Sequence, residues 1–154
     1  MLGKTENIHG VKGGGTMHDP KKNKALVAAF CAAVFVDHDL GGIDRFLRDD
    51  YIQHNPDVAQ GKAGFKEFFE ITFRAMPDFR YTVRRIVADE DLVFVHSTTT
   101  ATHTGGAWLD EPPTGNKLEF DVVDMFRIED GLIAEHWDVA DTLSLFTQLG
   151  KVKG

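Results

Sequence analysis

Three side chains near the end of the chain are of types that move protons: Asp124, His136 and Asp138. They stand in the run from Leu118 to Asp141, LEFDVVDMFRIEDGLIAEHWDVAD, which reads as two strands joined by a tight turn. Taken in steps of two, Leu118, Phe120, Val122, Asp124, Phe126 and Ile128 share one face, apolar except for the aspartate. A strand face that apolar packs on a core. A lone charge is costly to bury, so Asp124 is neutralised, paired or used. A carboxyl in an apolar pocket has its pKa raised, and a nearby imidazole can hold or exchange its proton. Two titratable groups in different surroundings can divide acid and base roles. The plainer alternative is a satisfied buried pair with a structural role only.

The turn decides which residues meet. A two-residue turn at Asp130-Gly131 sets Asp124 opposite Trp137. A type I turn over Glu129-Asp130-Gly131, closed by a glycine bulge, slips the register by one and sets Asp124 opposite His136. The bulged turn is favoured. It places Val122, Asp124, Phe126, Ala134, His136 and Asp138 on one inward face, with Glu135 and Trp137 on the other, against a helix or a partner subunit.

Other polar candidates are more scattered. His54 lies in the patch Gln53-His54-Asn55 before Pro56, where His54 or Asn55 can be aimed at a cavity mouth, or simply form a surface turn. His96 interrupts an apolar strand face and is a wall residue, while His103, near a loop, is expected to be exposed. His54, His96, His103 and His136 lack the close spacing of a zinc motif, so no metal site is assigned. No glycine-rich loop follows a strand, and no nucleophile elbow is present. Acid–base chemistry is what remains.

Composition narrows the setting. The 154 residues suit one domain, and 42% apolar content is enough for a core. Twelve phenylalanines point to a core or cavity walled by aromatics. A net charge of −7 with no basic patch argues against nucleic acid as a partner. The single cysteine, Cys31, cannot form an internal disulfide and reads as a small buried thiol. No run approaches the roughly 18 apolar residues of a membrane span, and the N-terminus lacks a signal-peptide pattern. The expectation is a cytoplasmic protein that does not engage membranes.

These side chains need a scaffold. Residues 1–18 form a glycine-rich lead-in, residues 19–150 a single domain and residues 151–154 a tail. Asp19 and Pro20 open a helix expected to reach Val36, and a short second helix covers about Ile43–Leu47. A strand or loop follows at Tyr51–Pro56. Phe65, Phe68, Phe69, Thr72, Phe73 and Met76 repeat at helical spacing, which predicts a third helix from Lys62 to Ala75. Strands follow at Phe79–Val87 and Leu92–Thr104, then a loop over Gly105–Asn116, the opening hairpin and a last short helix capped by Asp141. Helices followed by mostly antiparallel strands make an α+β fold, a curved sheet with the helices on one face around a conical cavity.

The run Tyr51-Ile52-Gln53-His54-Asn55-Pro56 with Gly61, Pro113-Thr114-Gly115, Asp124-Met125-Phe126-Arg127 with Glu129-Asp130-Gly131, and Glu135-His136-Trp137-Asp138 resembles the SnoaL-like polyketide cyclase group. That group belongs to the nuclear-transport-factor-2-like superfamily. The resemblance covers about Lys21 to Leu149. It implies a conical α+β barrel of strongly curved sheet wrapped around three N-terminal helices, a deep apolar pocket, and a homodimer formed through the sheet. It also implies an acidic residue on the last strand as the acid/base of an aldol closure needing neither cofactor nor metal, and Asp138 matches that position. A histidine assists from the preceding strand in those cyclases. Asp124 stands there in this chain, so His136 supplies the imidazole from the neighbouring strand instead.

The resulting expectation is an acid–base enzyme acting on a small or medium apolar carbonyl compound, by cyclase, isomerase or hydratase chemistry. Asp138, His136, Asp124 and His54 are its catalytic candidates. Asn55, His96, Phe69, Phe73, Val122 and Phe126 are the candidates for ligand contact. The rival is a pocket protein of the same fold that binds an apolar ligand, or dimerises, without turnover.

Overall fold

The structure, a computed structural model, describes residues 18–152. The expected lead-in falls outside them except for His18, which is exposed. Helix α1 (Pro20–Phe30) begins as its sequence requires: the Asp19 carboxylate accepts the Lys21 and Lys22 amides, each at 3.1 Å, and Pro20 occupies the first turn. The helix does not run unchanged to Val36. Over Cys31–Val36 it widens into turns that close on the residue five back, such as Asp37 N–H to the Ala32 carbonyl at 2.9 Å. A tight turn of helix, Leu40–Arg45, follows earlier than expected, because Asp39 caps the Gly42 amide.

The order of elements corrects the expectation of three helices ahead of the sheet. Strand β1 (Leu47–Gln53) comes before helix α2 (Gly61–Ala75). Then come β2 (Arg80–Asp89), β3 (Leu92–Thr102), β4 (Lys117–Glu129), β5 (Leu132–Ala140) and helix α3 (Thr142–Leu149), which Asp141 caps and left-handed Gly150 ends. The expected strand at Tyr51 begins earlier, at Leu47; that start was hidden because Arg48-Asp49-Asp50 is charged and only Leu47, Tyr51 and Gln53 are buried. The sheet runs β1-β5-β4-β3-β2, with β1 parallel to β5 and the other pairs antiparallel. It is therefore an open sheet with β1 and β2 as edges, not a closed barrel.

The helices cover one face of this sheet: α1 packs on β2 and β3, α2 on β1, and α3 on β4. Phe30 stands at the centre of the core, fully buried, with its ring against those of Phe35, Phe46, Phe65 and Phe126 at 5.3–5.8 Å. The phenylalanine stripe of α2 is split between this core and the cavity described below.

The β4–β5 hairpin has the two-residue turn and not the favoured bulge at Gly131, yet its register beyond the turn is one that neither alternative described. Asp130 (φ 52°) and Gly131 (φ 76°) form a two-residue turn with both residues left-handed, and Glu129 pairs with Leu132. The bulge lies further along β5. Ile128 pairs with Ile133, but Arg127 pairs with Glu135, which leaves Ala134 as the extra residue. The Ile133 amide points to the β1 side of β5 and bonds the Phe46 carbonyl at 2.7 Å. Beyond the bulge Asp124 stands opposite Asp138, and Phe126 opposite His136. The expected pairing is wrong by two residues, and a shift of two preserves the face. Asp124, His136 and Asp138 therefore still project to the same side.

Candidate active site

A cavity of about 320 Å³ lies between the helices and the inner face of the sheet. Its apolar wall comes from Phe35, Phe68 and Phe69 of the helices, Phe120 and Val122 of β4, and Leu145 and Phe146 of α3. Trp108 and Leu109, from the loop between β3 and β4, also line it, and the Trp108 indole N–H donates to Thr72 Oγ1 at 3.0 Å. Its polar lining includes Gln53, Asn55, Tyr81, Asp124, His136 and Asp138.

The polar groups form a connected set. Asp124, 5% exposed, accepts the Tyr81 hydroxyl on Oδ2 at 2.6 Å and meets His136 Nε2 with Oδ1 at 2.9 Å. His136, 3% exposed, is held at its other nitrogen by Gln53 Nε2, 3.1 Å from Nδ1, and stacks on Phe126 at 4.8 Å. Asp138 Oδ2 accepts Asn55 Nδ2 at 2.8 Å. A buried carboxylate with two donors is satisfied, and that describes Asp124. Asp138 is less fully engaged and faces the cavity.

Electrostatics separate the two acids further. Burial pushes the Asp138 carboxyl above the usual aspartate range, and the charges of Asp124 and Asp57 act in the same sense. The Asn55 hydrogen bond and the nearby His136 offset this only in part. The Tyr81 hydroxyl is pushed up by burial first and by the Asp124 charge second, so it remains a donor. Ligand atoms of Asp124, His136 and Asp138 lie within 4.8 Å of one another, a spacing that could gather a cation. The donor set fits one poorly: both ring nitrogens of His136 and both oxygens of Asp124 already have hydrogen-bond partners, which a metal would have to displace.

Not every sequence candidate reaches the cavity. Asp138, His136, Asp124, Asn55, Phe69 and Val122 line it. Phe126 lies behind its wall, fully buried under His136. Phe73 turns instead to His38, stacked at 4.0 Å, and to Phe79. His54 faces away, because it stacks on Trp137 at 4.3 Å and bonds Glu135 at 2.7 Å, both on the outer face of β5. Glu135 is held below the usual glutamate range: its partial burial acts to raise it, and hydrogen bonds from His54 and Arg127 outweigh that. His96 is also on the outer side, 3.2 Å from Asp121. His103 is fully buried rather than exposed, with Nε2 at 2.7 Å from the Gly106 carbonyl and Nδ1 at 3.3 Å from Thr114 Oγ1.

Sequence reasoning missed Gln53 and Tyr81. Alternation was the available signal: Tyr51, Gln53 and Asn55 are every second residue, a period that turns them to one side. Tyr81 is buried in an otherwise largely exposed strand, a contrast that its flanking arginines and threonine conceal.

The family model for SnoaL-like polyketide cyclase matches residues 25–149. The chain belongs to the SnoaL-like polyketide cyclase family. Among solved structures it is similar to AclR from Streptomyces galilaeus, a candidate hydroxylase: 32% identity, a TM-score of 0.77, and coverage of 88% of this chain and 100% of that one. TsrD from Streptomyces laurentii is 30% identical, with a TM-score of 0.77 over 87% of this chain and 98% of that one. IdmH from Streptomyces antibioticus, a candidate polyketide cyclase, is 27% identical, with a TM-score of 0.66 over 86% and 99%. No curated protein matches. Among the described residues of this SnoaL-like chain, no helix is long and apolar enough to cross a membrane.

Proposed function

We propose that the protein is a cofactor-independent acid–base enzyme acting on a small or medium apolar carbonyl compound. The observation that carries the reading is Asp138. It is a carboxyl with a raised pKa in the wall of a largely apolar cavity, beside a second carboxyl whose oxygens are already bonded. Asp138 takes a proton from the carbon next to the carbonyl. The C–H electron pair passes into an enolate, and the proton rests on Asp138. Asn55, whose amide has a second N–H beyond the one given to Asp138, donates to the developing oxyanion. The enolate then attacks an internal electrophile or is reprotonated at another carbon, with Asp138 returning the proton. These outcomes are cyclisation and isomerisation. The family and the candidate cyclase and hydroxylase among its neighbours support a small-molecule reaction of this kind. His54, turned outward by Trp137 and Glu135, has no part in it.

The test is Asp138→Asn assayed on a panel of apolar ketones and enones. Turnover is expected to fall about 10²–10⁴-fold, with the fold and ligand binding retained. Unchanged turnover overturns Asp138 as the base, and binding with no turnover in either protein supports the pocket-protein alternative.

The outer face of the sheet fits a second copy of the chain. Val87, Phe94, Met125 and Trp137 form one row by consecutive cross-strand pairing, and Val123 pairs with Val139 beside it. Val87 and Val139 are 60% and 64% exposed, an apolar presentation that a homodimer through the sheet covers. Sedimentation of Met125→Lys is expected to show a monomer where the unaltered chain is dimeric.

A further inference from the structure

We propose that Gln53 is the positioning residue of this site, fixing His136 as the Nε2–H tautomer while anchoring the turn from which Asn55 holds Asp138. The inference rests on the acid–base reading of Asp138 and adds the device that arranges its surroundings. Gln53 is 1% exposed, and its carboxamide can be oriented without ambiguity. Its Oε1 accepts the Asn55 backbone N–H at 3.0 Å, and a backbone amide can only donate. Nε2 is therefore the atom turned to the Tyr51 hydroxyl at 2.9 Å and to His136 Nδ1 at 3.1 Å. A ring nitrogen that faces an amide donor serves as acceptor and carries no proton. The ring proton is then on Nε2, where Asp124 Oδ1 accepts it at 2.9 Å.

One side chain thus sets both halves of the site. Through His136 it gives Asp124 its second donor, and through Asn55 it orients the group bonded to Asp138. Gln53 is itself held firmly, since Gln60 bonds its backbone in both directions, amide to Oε1 and carbonyl to Nε2. Flipping the carboxamide would set two donors against each other at Asn55, so the orientation is coupled to the turn as well as to the ring.

The imidazole nitrogens of His136 can be examined in the resting protein. In full-length protein labelled with 15N-histidine and held at one neutral pH, long-range proton–nitrogen spectra distinguish Nδ1–H, Nε2–H and the doubly protonated ring. The His136 signal is assigned by its loss in His136→Gln. The expected result is the Nε2–H form. Gln53→Glu keeps an acceptor for the Asn55 amide but places a carboxylate against Nδ1, and a proton should then appear there. Turnover should fall although Asp138 is intact. An Nδ1–H or doubly protonated ring in the unaltered protein overturns the proposal, as does a spectrum unchanged in Gln53→Glu. If that variant fails to fold, the unaltered protein's spectrum still decides. The spectrum does not depend on turnover, so its outcome is distinguishable from that of Asp138→Asn.

Discussion

Asp124 and Asp138 stand directly opposite each other on β4 and β5, yet they are not equivalent. Asp124 has a partner on each oxygen, Tyr81 and His136, whereas Asp138 has Asn55 on one. The geometry therefore divides the pair into a carboxyl bonded at both oxygens and a carboxyl bonded at one, beside the cavity.

That division has a measurable pH dependence. Burial raises the folded-state pKa of Asp138 above its unfolded value. Between the two values the native protein holds a proton that the unfolded chain has lost, so stability falls as pH rises through that window. An asparagine does not titrate there and can still accept from Asn55. Asp138→Asn is expected to melt higher than the unaltered protein at neutral pH, with the difference closing at pH values below the ordinary aspartate pKa. A variant that melts lower at neutral pH would contradict the raised pKa.

Tyr81→Phe tests the other half of the pair. It removes the donor to Asp124 Oδ2 without removing the ring that packs against Phe35 at 4.7 Å. A hydrogen bond to a charged group contributes about 1.5–3 kcal/mol, and losing it leaves a buried carboxylate short of a partner. Urea unfolding should show a loss of that size with an unchanged denaturant slope. A loss well under 1 kcal/mol would mean that water replaces the hydroxyl.

Gly131→Ala addresses the hairpin that brings the acids together. Gly131 sits at φ 76° with open space where a side chain would go, so the cost is conformational and not a clash. About 1–3 kcal/mol of destabilisation is expected for a non-glycine residue held in that region. Denaturant titration checks it.

The same hairpin shows how far the sequence was legible. Alternation along β4 placed Asp124 inward, and the end of β5 was marked by Asp141 and the helix it caps. The bulge at Ala134 was not legible, because nothing in Leu132-Ile133-Ala134-Glu135 distinguishes an extra residue from a regular one. The Ile133 amide beside it bonds Phe46, far away in sequence. His54 alternates with the inward Gln53 and Asn55, and its stacking partner Trp137, on another strand, is what the run around it did not show. Periodicity reports which side of its own element a residue faces, and tertiary partners decide where a residue at the element's end turns.

The cavity itself can be tested by filling it. Ala140 lines it two residues beyond Asp138, on the same face of β5 and opposite Val122. A phenylalanine at Ala140 occupies space that the cavity of about 320 Å³ now leaves for a ligand, while the carboxyl and its Asn55 partner stay in place. Loss of apolar contact of even one methylene is worth about 10–200-fold in discrimination, so Ala140→Phe should lower kcat/KM by at least about tenfold, mainly through KM. Displacement of an apolar fluorescent probe should weaken in parallel, and the melting temperature should hold. Asp138→Asn should do the reverse, losing kcat while probe binding persists. If Ala140→Phe leaves both probe binding and KM unchanged, the ligand does not enter this cavity and Asp138 is not its base.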